Sequence, residues 1–160
     1  MVTELDIFAI KERIVAILQN DTGLYDATGA SATKLRKILT GYIDTHTTSL
    51  TPLAFVTNSQ RLESVSPGAV ISNAWVSLTH KIRFEIHIIV DGRAPETLEE
   101  KLDDFRKLIY ETLEENNQLK DPTSGLLPLV STCWPESCIH EGRGTEKQKF
   151  IITLFCIAVS

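Results

Sequence analysis

The sequence lacks any excess of positive charge: 16 Lys and Arg stand against 21 Asp and Glu, a net of −5. Proteins that grip nucleic acid irrespective of its sequence need a basic face to release counterions, and none is available. The densest basic cluster, Lys34-Leu35-Arg36-Lys37, is a single turn's worth of charge and reads as solvated surface. Cysteine is scarce and odd in number, at three. The N-terminus, Met1-Val2-Thr3-Glu4-Leu5-Asp6, carries acids where a secretory leader carries bases. The expectation is a reducing compartment, not a disulfide scaffold. Apolar runs are short as well. The longest, Phe150 to Val159, is ten residues and is broken by Thr153, too short to span a bilayer as a helix. Six Pro and eight Gly are too few for a low-complexity or collagen-like chain.

What is present suits a globular protein. With 160 residues, 42% hydrophobic and 23% charged, the chain can bury a core without staples. A single domain over 1–160 is expected, with 23–51 and 57–70 as long loops or arms.

Ile7, Ile10, Ile14, Ile17 and Leu18 recur at helical spacing, so the spacing predicts an amphipathic helix from about Leu5 to Asn20. Thr3 and Asp6 resemble a capping box, and Asn20-Asp21-Thr22-Gly23 is a stop signal. Lys34 to Ile43 reads as a short helix or an edge strand, and the Thr-rich Asp44 to Thr51, with His46, as an exposed connection. Pro52-Leu53-Ala54-Phe55-Val56-Thr57 reads as a strand entered through proline. Asn58 to Gly68 is polar, with Ser66-Pro67-Gly68 as a turn.

Alternation from Ala74 to Val90 is the strongest strand signal. Val76, Leu78, Ile82, Phe84, Ile86, Ile88 and Val90 share one face, with His80 as the exception. Pro95 suits the first position of a second helix whose stripe is Leu98, Leu102, Phe105, Ile109 and Leu113, ending near Asn116-Asn117. Pro128 to His140 is extended but interrupted at Trp134-Pro135, as in an edge strand or a bulge. Glu141-Gly142-Arg143-Gly144-Thr145 is a hairpin turn into a closing strand, Gln148 to Val159. The expected fold is α+β: an antiparallel sheet of about four strands with two main helices packed on one face.

The chemistry-bearing residues form no enzymatic constellation. Cys133, Cys138 and His140 are the one cluster of metal-ligand types. A fourth ligand is missing, and an unbroken strand would point Cys133 and Cys138 to opposite faces. Cys156 reads as a small core residue. His80 and His87 are strand residues without a nucleophile signature, there is no G-x-S-x-G, and Gly142-x-Gly144 is hairpin chemistry. No enzyme activity, cofactor or metal is expected.

The closing strand is apolar on both faces: Phe150, Ile152, Leu154, Cys156 and Ala158 on one, and Ile151, Phe155, Ile157 and Val159 on the other. Two helices can cover only one face of such a sheet, so a neighbouring subunit, in preference to a covering loop from Gly23 to Thr51, is expected to cover the second. Ile151, Phe155, Ile157 and Val159 are therefore the expected subunit interface, joined by Arg61, Leu62 and Val65 from the polar arm.

The order of elements resembles the tail-terminator and tail-completion (neck) proteins of tailed double-stranded-DNA bacteriophages. The matching pieces are the Ile7-to-Leu18 helix, the Phe84-Glu-Ile-His-Ile-Ile-Val90 strand with its following acidic helix, and the Lys149-to-Val159 strand. The resemblance implies a structural virion protein, one subunit of a ring (commonly a hexamer) at the neck. Such a ring terminates the tail tube and joins it to the head. It implies contact with itself, with a tail tube protein and with a head-completion or connector protein, in the virion after assembly in the host cytoplasm. DNA would pass the lumen without specific binding, and no membrane is involved. Two other readings stay open: a different head-tail connector or head-completion ring, and a small intracellular dimeric α+β domain that binds a ligand or catalyses a reaction.

Overall fold

A computed structural model describes residues 5–42, 51–71 and 74–159. Thr3 and the connection 44–50, His46 included, lie outside the described residues. The elements are α1 (Ile7–Asn20), β1 (Lys37–Thr40), β2 (Leu53–Ile71), β3 (Ala74–Asp91), α2 (Pro95–Glu115), β4 (Thr132–Glu141) and β5 (Lys147–Val159). Among the described residues the fold is α+β, with two helices and a mostly antiparallel sheet of five strands rather than about four, in the order β1-β2-β3-β5-β4. β1 is the added edge strand and runs parallel to β2.

Both helices pack on one face of the sheet. Asp6 is the N-cap of α1, accepting a hydrogen bond from the Ala9 amide at 2.9 Å, so the cap sits at Asp6 itself. The helix stops at Asn20, and the Asp21 that follows it accepts the Thr112 hydroxyl of α2. Ile10, Ile14, Ile17 and Leu18 of α1 and Leu98, Leu102, Phe105, Ile109 and Leu113 of α2 are buried in one core. That core also holds Ala54, Val56, Ile82, Phe84, Ile86, Ile88, Val90 and the inward row of β5, Phe150 to Ala158.

The closing strand is interior, lying between β3 and β4, which accounts for its two apolar faces. Gly142 sits at φ +72° in the β4–β5 turn, and a Cβ there would lie 2.4 Å from the Lys147 carbonyl oxygen. Glycine is the residue that fits.

Two expectations for β2 are overturned by strand pairing, the loop over 57–70 and the turn at Ser66-Pro67-Gly68, while the edge strand or bulge expected at Trp134-Pro135 is present. The stretch 57–70 is not a loop: it belongs to β2, and Ser66 and Pro67 pair with Thr79 and Leu78 rather than forming a turn. Between Asn58↔Phe84 and Glu63↔Ile82, four residues, Ser59 to Leu62, lie opposite the single Arg83. The expected arm is thus a β-ribbon. β5 ends at Val159, opposite Thr79, so the ribbon runs about 16 Å past it by the strand rise per residue. In β4, Glu136 is the extra residue between the pairs Pro135↔Leu154 and Ser137↔Thr153.

The burial pattern sets the expected cost of truncation. Phe105→Ala removes a ring that is 1% exposed and is expected to lower unfolding free energy by about 3–5 kcal/mol. Phe8→Ala, at a ring 57% exposed, is expected to change it by at most about 0.5 kcal/mol. Denaturant unfolding of both variants checks this, and equal losses would contradict the assignment of the core.

Candidate interaction site

Neither described helix lies on the sheet's second face, whose side chains form cross-strand rows. One row spans all five strands: Ile139, Ile151, His87, Phe55 and Leu39. A polar row follows, Ser137, Thr153, Glu85 and Thr57. The next is Trp134, Phe155 and Arg83. Paired residues share a face, so these contacts follow from register alone.

At the β1 end the face is closed. Leu53, Phe55 and Ile89 form a second, small buried cluster with Leu39 against it. The His87 imidazole stacks on Phe55 with centroids 4.5 Å apart, and Tyr42 meets Phe55 edge-on at 5.7 Å. His87 Nε2 donates to Glu85 Oε1 at 3.0 Å, while Nδ1 is buried without a hydrogen-bond partner.

At the β4 end the face is open. Phe155 is 8% exposed because the chain covers it: the Trp134 ring lies 4.8 Å away and the Arg83 guanidinium 4.7 Å above. Glu136, the bulged residue, holds Arg83 at 3.0 Å. Ile151 and Ile157 are half-buried. Trp134, Ile139 and Val159 remain exposed, at 43%, 55% and 58%.

The expected interface residues therefore separate. Ile151, Phe155, Ile157 and Val159 lie together on the second face, but Phe155 is already buried within the chain. Leu62 packs against the main core, and Val65 pairs with His80 on the helix-side face. Arg61 is exposed in the β2 bulge. Within one chain Leu62 and Val65 are thus on the other side of the sheet from the β5 patch. Trp134 and Ile139 belong to the patch and were hidden in the sequence, since β4 does not alternate through its bulge.

That bulge also corrects the cysteine geometry. Cys133 pairs with Cys156 and Cys138 with Ile152, so all three cysteines face the helices. His140 Nε2 bonds Gln148 Oε1 at 2.8 Å. Among the described residues, no group of three or more His, Cys, Asp or Glu side chains is placed to hold a metal ion. No described helix is long and apolar enough to cross a membrane. Compared with known proteins, the chain matches no family model and no curated sequence.

Burial pushes the His87 imidazole below its ordinary value, and the bond to Glu85 opposes this only in part. Glu85 and Glu141 favour its charged form and Lys149 opposes it. An unfolded histidine takes up its proton near pH ~6.5, before the folded one does. Stability from this group is therefore full above that pH, and it falls as pH drops from there towards the folded-state value. His87→Phe keeps the ring stack and removes the titration. Between pH 7 and 5 its Tm is expected to fall less than that of the unsubstituted chain, and parallel Tm–pH curves would contradict this.

Proposed function

We propose that the chain is a structural subunit of a closed homomeric ring, of the kind that terminates the tail tube and joins it to the head at a bacteriophage neck. On this reading it is not an enzyme and needs no cofactor. Its partners are its own copies, a tail tube protein and a head-completion or connector protein. DNA passes the lumen without being held, and the assembled place is the virion.

One observation carries the reading. The β4–β5 end of a helix-free sheet face leaves Trp134, Ile139 and Val159 exposed, while the β2–β3 ribbon projects beyond β5. A patch on one side and a projection elsewhere are unlike surfaces, and unlike surfaces associate head-to-tail. Head-to-tail contacts between identical chains close into rings when the rotation allows. Burying each large apolar side chain contributes about 1.5–3 kcal/mol. The net charge of −5 supports a lumen that lets DNA pass.

Native mass spectrometry and negative-stain microscopy test the reading together. The expected result is a closed annular particle, by the closure of identical head-to-tail contacts, and the resemblance to phage neck rings implies about six copies. Ile139→Asp, at an exposed position, is expected to abolish the particle while near-ultraviolet circular dichroism stays unchanged. A compact dimer would favour the small ligand-binding domain, and a strict monomer at tens of micromolar would overturn the ring. Co-sedimentation with the tail tube protein separates a terminator from another neck ring.

A further inference from the structure

We infer that Cys133 and Cys156 form a cross-strand disulfide when the folded chain meets a low-molecular-weight disulfide such as oxidised glutathione. This rests on the core geometry and is independent of the ring reading.

The two cysteines are Cα partners on antiparallel neighbours, β4 and β5, and both side chains point toward the helices. Residues directly opposite in such a pair have Cα atoms about 4.5–5.5 Å apart, within the ~4.4–6.8 Å that a disulfide spans. Distance along the ladder keeps Cys138 out of this pairing. Its partner is Ile152, four residues from Cys156 along β5, a distance of roughly 13 Å that no disulfide can bridge.

The pair also has an entrance. Cys156 is 0% exposed and Cys133 3%, but Cys133 lines a pocket of about 290 Å³ with Tyr110, Glu114, Thr132, Trp134 and Pro135. This pocket lies between the C-terminal end of α2 and the start of β4, an edge strand. Cys156 hydrogen-bonds Cys133, and that bond together with burial pushes the Cys156 thiol far up. Cys133 lines the pocket and Cys156 does not, so a small disulfide meets Cys133 first.

The chemistry balances in two exchanges. Cys133 loses its proton, and its sulfur attacks one sulfur of the small disulfide. The old S–S bond breaks, and one small thiolate leaves and takes up a proton. Cys156 then loses its proton and attacks the Cys133 sulfur of the mixed disulfide, expelling the second small thiolate. Two protein thiols are oxidised to one disulfide, and one small disulfide is reduced to two thiols.

The test incubates the full, reduced chain with oxidised glutathione in native buffer, followed by intact mass and non-reducing peptide mapping. The expected product has lost two hydrogens, carries the Cys133–Cys156 linkage and has a higher Tm than the reduced chain. Cys138→Ala is expected to give the same linkage. Cys156→Ala is expected to stop at one glutathione on Cys133, with no intramolecular bridge. Modification of Cys138 alone, or a bridge that appears only in denaturant, would overturn the inference.

Discussion

A single helical layer has to meet the same face of every strand, and most of the rest of the structure follows from that constraint. Side chains alternate with a period of two, so one misplaced residue turns a strand's apolar set to the wrong face. β3 and β5 satisfy the constraint by unbroken alternation from Ile82 to Val90 and from Phe150 to Ala158. β2 and β4 do not, and each carries a bulge. In β2 the helix-side positions pass from Ala54 and Val56 to Glu63 and Val65, and in β4 from Cys133 to Cys138. The bulges absorb the residues that would otherwise reverse the strands.

The second face is governed by a different balance. With no helix above it, its apolar residues are covered by their neighbours in the sheet where register permits. Phe55 takes His87 and Tyr42, and Phe155 takes Trp134 and Arg83. The Arg83–Glu136 pair is partly exposed, so its charge attraction is worth about 0–1 kcal/mol. Its larger contribution is the guanidinium held flat over an aromatic ring. Such covering runs out on the edge strand β4, at Ile139, and at the last residue of β5, Val159, and both are exposed.

This balance explains which parts were legible in the sequence. α1, α2, β3 and β5 each press one face against the core, and half-burial imprints periodicity. The outer half of β2 was misread because a two-stranded ribbon past the helices wets both faces. Ser64, Val65, Ser66 and Pro67 are all exposed, so nothing enforced alternation there. β4 was recognised as interrupted, but the face each residue takes depends on which one bulges. The bulged residue, Glu136, reaches Arg83, 53 positions away, a contact that no local pattern shows. Of the expected interface, the β5 residues were legible because a strand apolar on both faces announces itself. Trp134 and Ile139 were not, and within one chain Leu62 and Val65 lie on the helix side of the sheet, away from the β5 patch.

The edge strand β4 joins the two proposals physically. Cys133 faces the helices and Trp134, the next residue, faces away; across the ladder Cys156 and Phe155 do the same. A covalent link on the inner side fixes the separation of the two backbones, and that backbone carries the aromatic pair on the outer side. Strand edges are the least protected part of a sheet, with backbone groups free to pair elsewhere. Tethering β4 to β5 raises the cost of peeling it away, because the unfolded edge can no longer gain the full freedom of an open chain. The outer patch is therefore most rigid when the inner thiols are joined. A rigid patch loses less conformational entropy on docking than a mobile one. On the two proposals together, oxidation at Cys133 and Cys156 would favour association at Trp134 and Ile139 without touching either side chain.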